Sequence, residues 1–168
     1  GYDELALTYG EMGKTEAAVK FFNKEFQMGY HYACPYQGLG NVYRKIGKPK
    51  EAEENLLTVV KLEPHRSKGY YELAEYYYEL GRLDKAEDNI DKGLSVLSDD
   101  YSRLKLLSLK GFILIMQGKY EQAGQIFDAM IKSGGVNCVT LAGLGHISNA
   151  KKDFIKAREY FEKAIRYE

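Results

Sequence analysis

Gly13-Lys14-Thr15 has the ending of a phosphate-binding loop. Such a loop needs a glycine five positions before Gly13 and a strand in front of it. Thr8 holds that position, and the residues around it have helical spacing. Gly-Lys also recurs at 47–48 and 118–119, which marks it as a recurring turn. His31, His65 and His146 could serve acid–base or metal chemistry, but they lie far apart. No His/Cys/Asp/Glu set has the spacing of metal ligands. A Cys34–His31 dyad lacks a third group to orient the base. Cys34 and Cys138 form no CxxC pair. The reading is therefore a chain that is not an enzyme, with no catalytic residue, no metal and no cofactor.

Charge narrows the partners further. The 168 residues carry 24 Lys+Arg against 24 Asp+Glu. A nucleic-acid partner wants a concentrated basic face, which a net charge of zero argues against. No block of five like charges forms a tail. No apolar run approaches the ~18 residues of a membrane span, so no direct membrane insertion is expected. Two lone thiols suit a reducing compartment, a weak lean toward the cytoplasm. The i,i+4 pairs Glu16/Lys20, Glu159/Lys163 and Glu162/Arg166 read as solvated helix faces.

These side chains sit on a repeating frame. Gly13, Gly47, Gly81 and Gly118 are separated by 34, 34 and 37 residues. Ala18, Ala52, Ala86, Ala123 and Ala157 follow at 34, 34, 37 and 34, as do Ala6, Gly40, Ala74, Gly111 and Gly145. Within a period, Tyr70, Leu73, Ala74 and Tyr77 fall at i, i+3, i+4, i+7, and Leu83, Ala86, Ile90 and Leu94 continue the helical pattern. Each period therefore predicts two helices joined by a tight turn at the glycine. Pro49 suits the start of a second helix, and Pro64 its end. The units run about 1–32, 33–66, 67–100, 104–137 and 138–168, as one array. The Ser98–Arg103 insertion lengthens either the junction or the first helix of the fourth unit. Ser133-Gly134-Gly135 is the loosest junction by composition.

Tyr36, Leu39, Gly40, Tyr43, Gly47, Ala52, Leu56 and Pro64, with Tyr70, Leu73, Ala74, Tyr77, Gly81, Ala86 and Ile90, resemble the tetratricopeptide repeat family. The resemblance covers essentially the whole chain. It implies an all-α fold, a right-handed superhelix (solenoid) of about five helix pairs, with a concave groove that takes a protein or peptide partner. Four positions depart from the pattern. Lys110 stands at a core Leu position, Lys152 at the last turn glycine, Ser148 at a Tyr and Glu25 at a small residue. Some members of the family clamp a C-terminal carboxylate with two Lys, two Asn and one Arg. Asn41 and Lys105 match that set, whereas Gln37, Glu72 and Leu109 do not, so no such clamp is expected.

The tyrosines sort by helical angle. Tyr70/Tyr77, Tyr36/Tyr43 and Tyr2/Tyr9 form core lines, and Tyr76 points to its own unit's second helix. Tyr71 and Tyr78 fall on the line that the resemblance places in the groove. Their alternative is to cover a neighbouring helix. The candidate peptide-binding residues are Asn41, Arg44, Lys45, Lys68, Tyr71, Glu75, Tyr78, Phe112 and His146. Phe112, Ile115 and Met116 belong either to the groove or to the core, since their helix is apolar nearly all round. Phe154, Phe161 and Ile165 have no following helix to cover them, so the natural protein is expected to continue past one or both ends. Self-association through the uncapped ends is the alternative. The leading functional expectation is a non-catalytic scaffold that binds a peptide segment of another protein or of its own chain. The alternatives are an accessory array of a larger enzyme and a self-assembling structural organiser.

Overall fold

In the computed structural model the described residues are 1–29, 32–96 and 100–167. His31, Ser98, Asp99 and Glu168 lie outside them. The described residues form ten α-helices and no strand: α1 (Tyr2–Glu11), α2 (Thr15–Gln27), α3 (Ala33–Lys45), α4 (Pro49–Leu62), α5 (Ser67–Glu79), α6 (Leu83–Ser95), α7 (Asp100–Met116), α8 (Tyr120–Lys132), α9 (Cys138–Ala150) and α10 (Phe154–Arg166). Successive helices pack as antiparallel pairs, and the pairs stack into an all-α superhelix. None of the helices is long and apolar enough to cross a membrane.

The turn inside each pair needs a left-handed residue. Gly13, Gly47, Gly81 and Gly118 have φ of 73°, 68°, 68° and 74°. The last turn uses Lys152 at φ 62°, a conformation in which a Cβ is strained. Pro49 opens α4, where its missing N–H is harmless.

Two kinds of close approach build the core. Inside a pair, small residues let the helices touch. Ala6, Ala18, Ala52, Ala74, Ala86 and Ala123 are fully buried, and a Cβ on Gly40 would come to 2.9 Å from Leu56. Between pairs, a ring on one second helix presses on the next first helix. A Cβ on Gly38 would collide with the Phe22 ring, and one on Gly143 with Phe127. Both rings are fully buried.

The departures from the repeat have physical outcomes. The insertion extends α7 to 17 residues, against 13 for α3, α5 and α9. Lys110 is half-buried, and its ammonium meets Asp91 of α6 at 2.7 Å. An ion pair thus replaces the apolar contact of a Leu. Glu25 is buried, 3% exposed. The glycine junction after α8 is hydrogen-bonded: the Asn137 side chain accepts from the Thr140 amide, and the Thr140 hydroxyl donates to the Gly135 carbonyl.

The Tyr76 ring lies in one core cluster with Ala86 and Ile90 of α6, and its hydroxyl donates to the Pro49 carbonyl at the start of α4, at 2.6 Å. Glu162 accepts from Arg158, one turn before it, at 2.7 Å, and Arg166 acts on it from a longer range. The guanidinium of Arg158 bonds the carboxylate directly, so the reach favours the earlier turn.

Candidate functional site

The first helices of successive pairs form the inner wall. α1 touches α3, α5 touches α7 and α7 touches α9. α3 and α5 are tied by polar side chains. The Gln37 amide donates to Glu72, and the Arg44 guanidinium meets Glu75 at 3.0 Å and Glu79 at 3.4 Å. These bridges span one period, so they fix the spacing between two units.

A cavity of about 370 Å³ runs along this wall. Leu7, Gly10 and Glu11 line it from α1, Asn41, Arg44 and Lys45 from α3, Tyr71, Glu72 and Glu75 from α5, and Lys105 from α7. Helical spacing is the cause: residues three, four and seven apart share one face, and the turn glycines keep each first helix in the same orientation. A second cavity of about 350 Å³ continues from it, between the starts of α5 and α7, lined by Lys68, Tyr71, Glu72, Tyr101 and Lys105 among others. Tyr71, Glu72 and Lys105 belong to both.

Tyr71 is the hinge of this surface. It is half-buried, and its hydroxyl donates to Glu75 at 2.5 Å. Burial first, and the Glu75 carboxylate second, push its hydroxyl well above the usual phenol range. Tyr71 therefore stays neutral at any physiological pH. The Lys105 ammonium lies 5.0 Å from the Tyr71 ring centre and 4.5 Å from that of Tyr101. Such cation–π contacts hold an amine without a carboxylate partner.

Asn41, Arg44, Lys45, Tyr71 and Glu75 thus share one cavity, and Lys68 sits on the adjoining one. Tyr78 lines neither of these two; it is half-buried against the core cluster of α4, α5, α6 and α7. Phe112 and His146 are elsewhere. Phe112 packs edge-on to Phe127 at 5.7 Å and to His146 at 6.2 Å, and His146 packs on Phe161 at 5.2 Å. They line an open apolar groove of about 510 Å³ with Val139, Ala142 and Ile165. Of the residues left open between groove and core, Phe112 and Ile115 are half-buried against the α7–α9 cluster, and Met116 is 59% exposed.

Two further residues line the cavity: Lys105, which the sequence already places among the clamp-like positions, and Glu72, which was not a candidate. Glu72 is only 8% exposed, and its Oε2 has no hydrogen-bond partner. Burial pushes its carboxyl up to about 7. A signal for it existed. Nine residues before the five turn residues stand Glu4, Gly38, Glu72, Leu109 and Gly143. Gly38, Leu109 and Gly143 of this column are buried like Glu72, whereas Glu4 of the first unit is exposed.

Models of the tetratricopeptide repeat match residues 38–94, and residues 1–24 and 140–168. No curated protein matches by sequence. Among solved structures, pilF of Pseudomonas aeruginosa superposes with a TM-score of 0.81 at 18% identity, covering 97% of this chain and 74% of its own. MamA superposes with a TM-score of 0.72 at 19% identity, covering 95% of this chain and 92% of its own. YrrB, described as a tetratricopeptide repeat protein with an unusual peptide-binding site, gives 0.68 at 20% identity, covering 99% and 84%. At such identities the likeness speaks for the fold alone. With family matches at both ends and in the middle, on five helix pairs with a recurring turn, the chain belongs to the tetratricopeptide repeat family.

Proposed function

We propose that this chain is a non-catalytic interaction scaffold that binds a peptide segment of a partner protein along its inner wall. The observation that carries this reading is the cavity shared by α1, α3, α5 and α7, in which a half-buried tyrosine is flanked by Asn41, Lys45 and Lys105. An aromatic anchor with a polar rim is the usual anatomy of a peptide site. Tyr71 offers a ring face to an apolar side chain, while Asn41 can pair with a peptide backbone and set its register. Arg44 is already committed to Glu75 and Glu79 and acts as a brace of the wall. Tyr78 and the Phe112–His146 pair contribute outside this cavity. That YrrB has a peptide-binding site on the same fold adds to the reading.

The test is selection of binding peptides from a displayed random library on the folded chain. The selected peptides are then measured against Tyr71→Ala/Asn41→Ala and against a control pair on exposed second-helix positions, Lys20→Ala/Glu54→Ala. Loss of at least about tenfold in affinity with the first pair only, about 1.4 kcal/mol, supports the groove. Equal loss with both, or with neither, overturns it.

A second reading is favoured by one surface. Phe154, Ile155 and Ile165 of α10 are 64%, 76% and 70% exposed. Large apolar side chains this exposed suit contact with another protein or another copy. Sedimentation across a hundredfold concentration range, with and without Ile155→Lys/Ile165→Lys, decides whether that contact is self-association.

A further inference from the structure

We propose that the groove between α2 and the end of α3 is a second docking site, for a partner-protein segment that carries an acidic side chain beside an apolar one. The groove shares no lining residue with the inner-wall cavity, so the two sites are separate.

The chain holds its own template for the acidic side chain. In the second unit, Glu53 of α4 reaches across to the end of α5. Its carboxylate accepts from the Tyr77 hydroxyl at 2.7 Å and from Lys85 at 3.1 Å, with Arg82 at 3.4 Å. The first unit repeats this arrangement 34 residues earlier with one part missing. Tyr43 stands for Tyr77, Ile46 for Leu80 and Lys48 for Arg82, but Val19 stands for Glu53. The Lys48 ammonium lies 5.8 Å from the Tyr43 ring centre, much as Lys85 lies 4.8 Å from that of Tyr77. The phenol and the cation are therefore present without the carboxylate that joins them. An open cavity of about 550 Å³ lies there instead. Tyr43 is half-buried at its wall, and no described residue bonds its hydroxyl. A carboxylate from outside can take the bond that Glu53 takes one unit on.

Charge and shape select the rest of the segment. Lys20 and Lys24 line the groove where the second unit has Glu54 and Thr58. Lys24 lies over the Tyr2 ring at 4.5 Å, and neither lysine nor Lys48 is in an ion pair with a described residue. Glu16 is the one carboxylate among the lining residues. Glu51 takes the place of Lys85 and lies outside the lining, so Lys20 and Lys24 supply that cation from the α2 side. Three lysines against one glutamate attract an anion and repel a basic segment. The floor is apolar: Val19 and Tyr43 pack on the core of the first units, and Ile46 is 41% exposed. An aliphatic neighbour of the acidic residue would cover it. A nucleic-acid strand would use the lysines through its phosphates and leave this floor bare.

The test is selection from a displayed random peptide library on the wild-type chain, after removal of peptides that also bind Val19→Glu. That substitution fills the groove with a carboxylate of the chain itself. If it does not fold, Tyr43→Phe takes its place in the selection. The selected peptides are measured by fluorescence anisotropy, with circular dichroism to check the fold of each variant. They should carry Glu or Asp beside a large apolar residue. Changing that acid to its amide should weaken binding about tenfold, and so should Tyr43→Phe, which keeps the ring and removes only the hydroxyl. Lys20→Ala/Lys24→Ala should weaken binding and flatten its dependence on salt. Tyr71→Ala/Asn41→Ala should leave it unchanged. Peptides without an acid, full binding by Tyr43→Phe, or displacement by a single-stranded oligonucleotide at about 0.15 M salt overturns the proposal. Absence of any peptide that prefers the wild-type chain does the same.

Discussion

Glu72 ties stability to pH with a sign that can be stated in advance. Its unfolded carboxyl titrates near 4.5 and its folded carboxyl at about 7. Between those values the folded state holds more protons, so stability falls as pH rises from about 4.5 to 7 and is flat above. Glu72→Gln keeps the shape and removes the charge. Urea unfolding should show the two proteins alike at pH 4, and the variant more stable at pH 8 by about 1–3 kcal/mol. Lys152 gives a second residue-scale expectation. Its left-handed backbone at φ 62° is the strained copy of a turn that glycine makes elsewhere. Lys152→Gly should raise the melting temperature by about 2 °C, since relief of the strain outweighs the added freedom of the unfolded chain. The Lys152 strain was legible as a missing glycine in a regular column. The Gln37–Glu72 contact was not, because it joins side chains 35 residues apart whose meeting depends on how two units stack.

At the scale of helices, contacts between pairs decide the geometry of the wall. Glu53 of α4 accepts from the Tyr77 hydroxyl of α5 at 2.7 Å and from Lys85 of α6 at 3.1 Å, with Arg82 at 3.4 Å. The Tyr77 hydrogen bond is the largest single cause that holds its carboxyl below the usual range, with Lys85 and Arg82 adding to it against the opposing pull of burial. The lowered pKa contributes stability above the unfolded pKa, lost as pH falls through the folded one. Glu53→Gln should therefore flatten the acid limb of the unfolding profile while leaving peptide affinity in place. Ring-on-glycine packing is the second element-scale contact. Gly38→Ala should destabilise by about 1–3 kcal/mol through overpacking against Phe22, and Phe22→Leu in the same chain should return part of that loss. Helix positions and turns could be read from spacing because each obeys a local rule. The role of α7 could not, since a helix apolar nearly all round does not show which face turns to the groove. The structure divides it, with Phe112 and Ile115 packed and Met116 exposed.

Across the whole molecule each pair contacts its neighbours, and α2 and α9 are separated by the entire stack. Stability is then a sum over units and their interfaces. Amide hydrogen exchange should be slowest in α4, α5 and α6, which are packed on both sides, and fastest in α1 and α10. The inner cavity spans α1 to α7, so a peptide seated there should slow exchange in α1 and α3 together with α5. The ring contacts between pairs carry one more implication, for the order in which the units can occur. Phe22 presses on Gly38, and Phe127 on Gly143, sixteen residues further along in each case. Leu56 stands at the same distance from Glu72. Excising residues 67–103 would bring Leu56 opposite Leu109, two aliphatic chains that can share a core. Excising residues 33–66 would bring the Phe22 ring opposite Glu72, where neither space nor a glycine awaits it. Excising residues 104–137 would leave Ile90 opposite Gly143, with a void between them. Units of equal length are therefore not interchangeable cards. Each one prescribes its successor, and a gene for such an array can lose some units in recombination and not others.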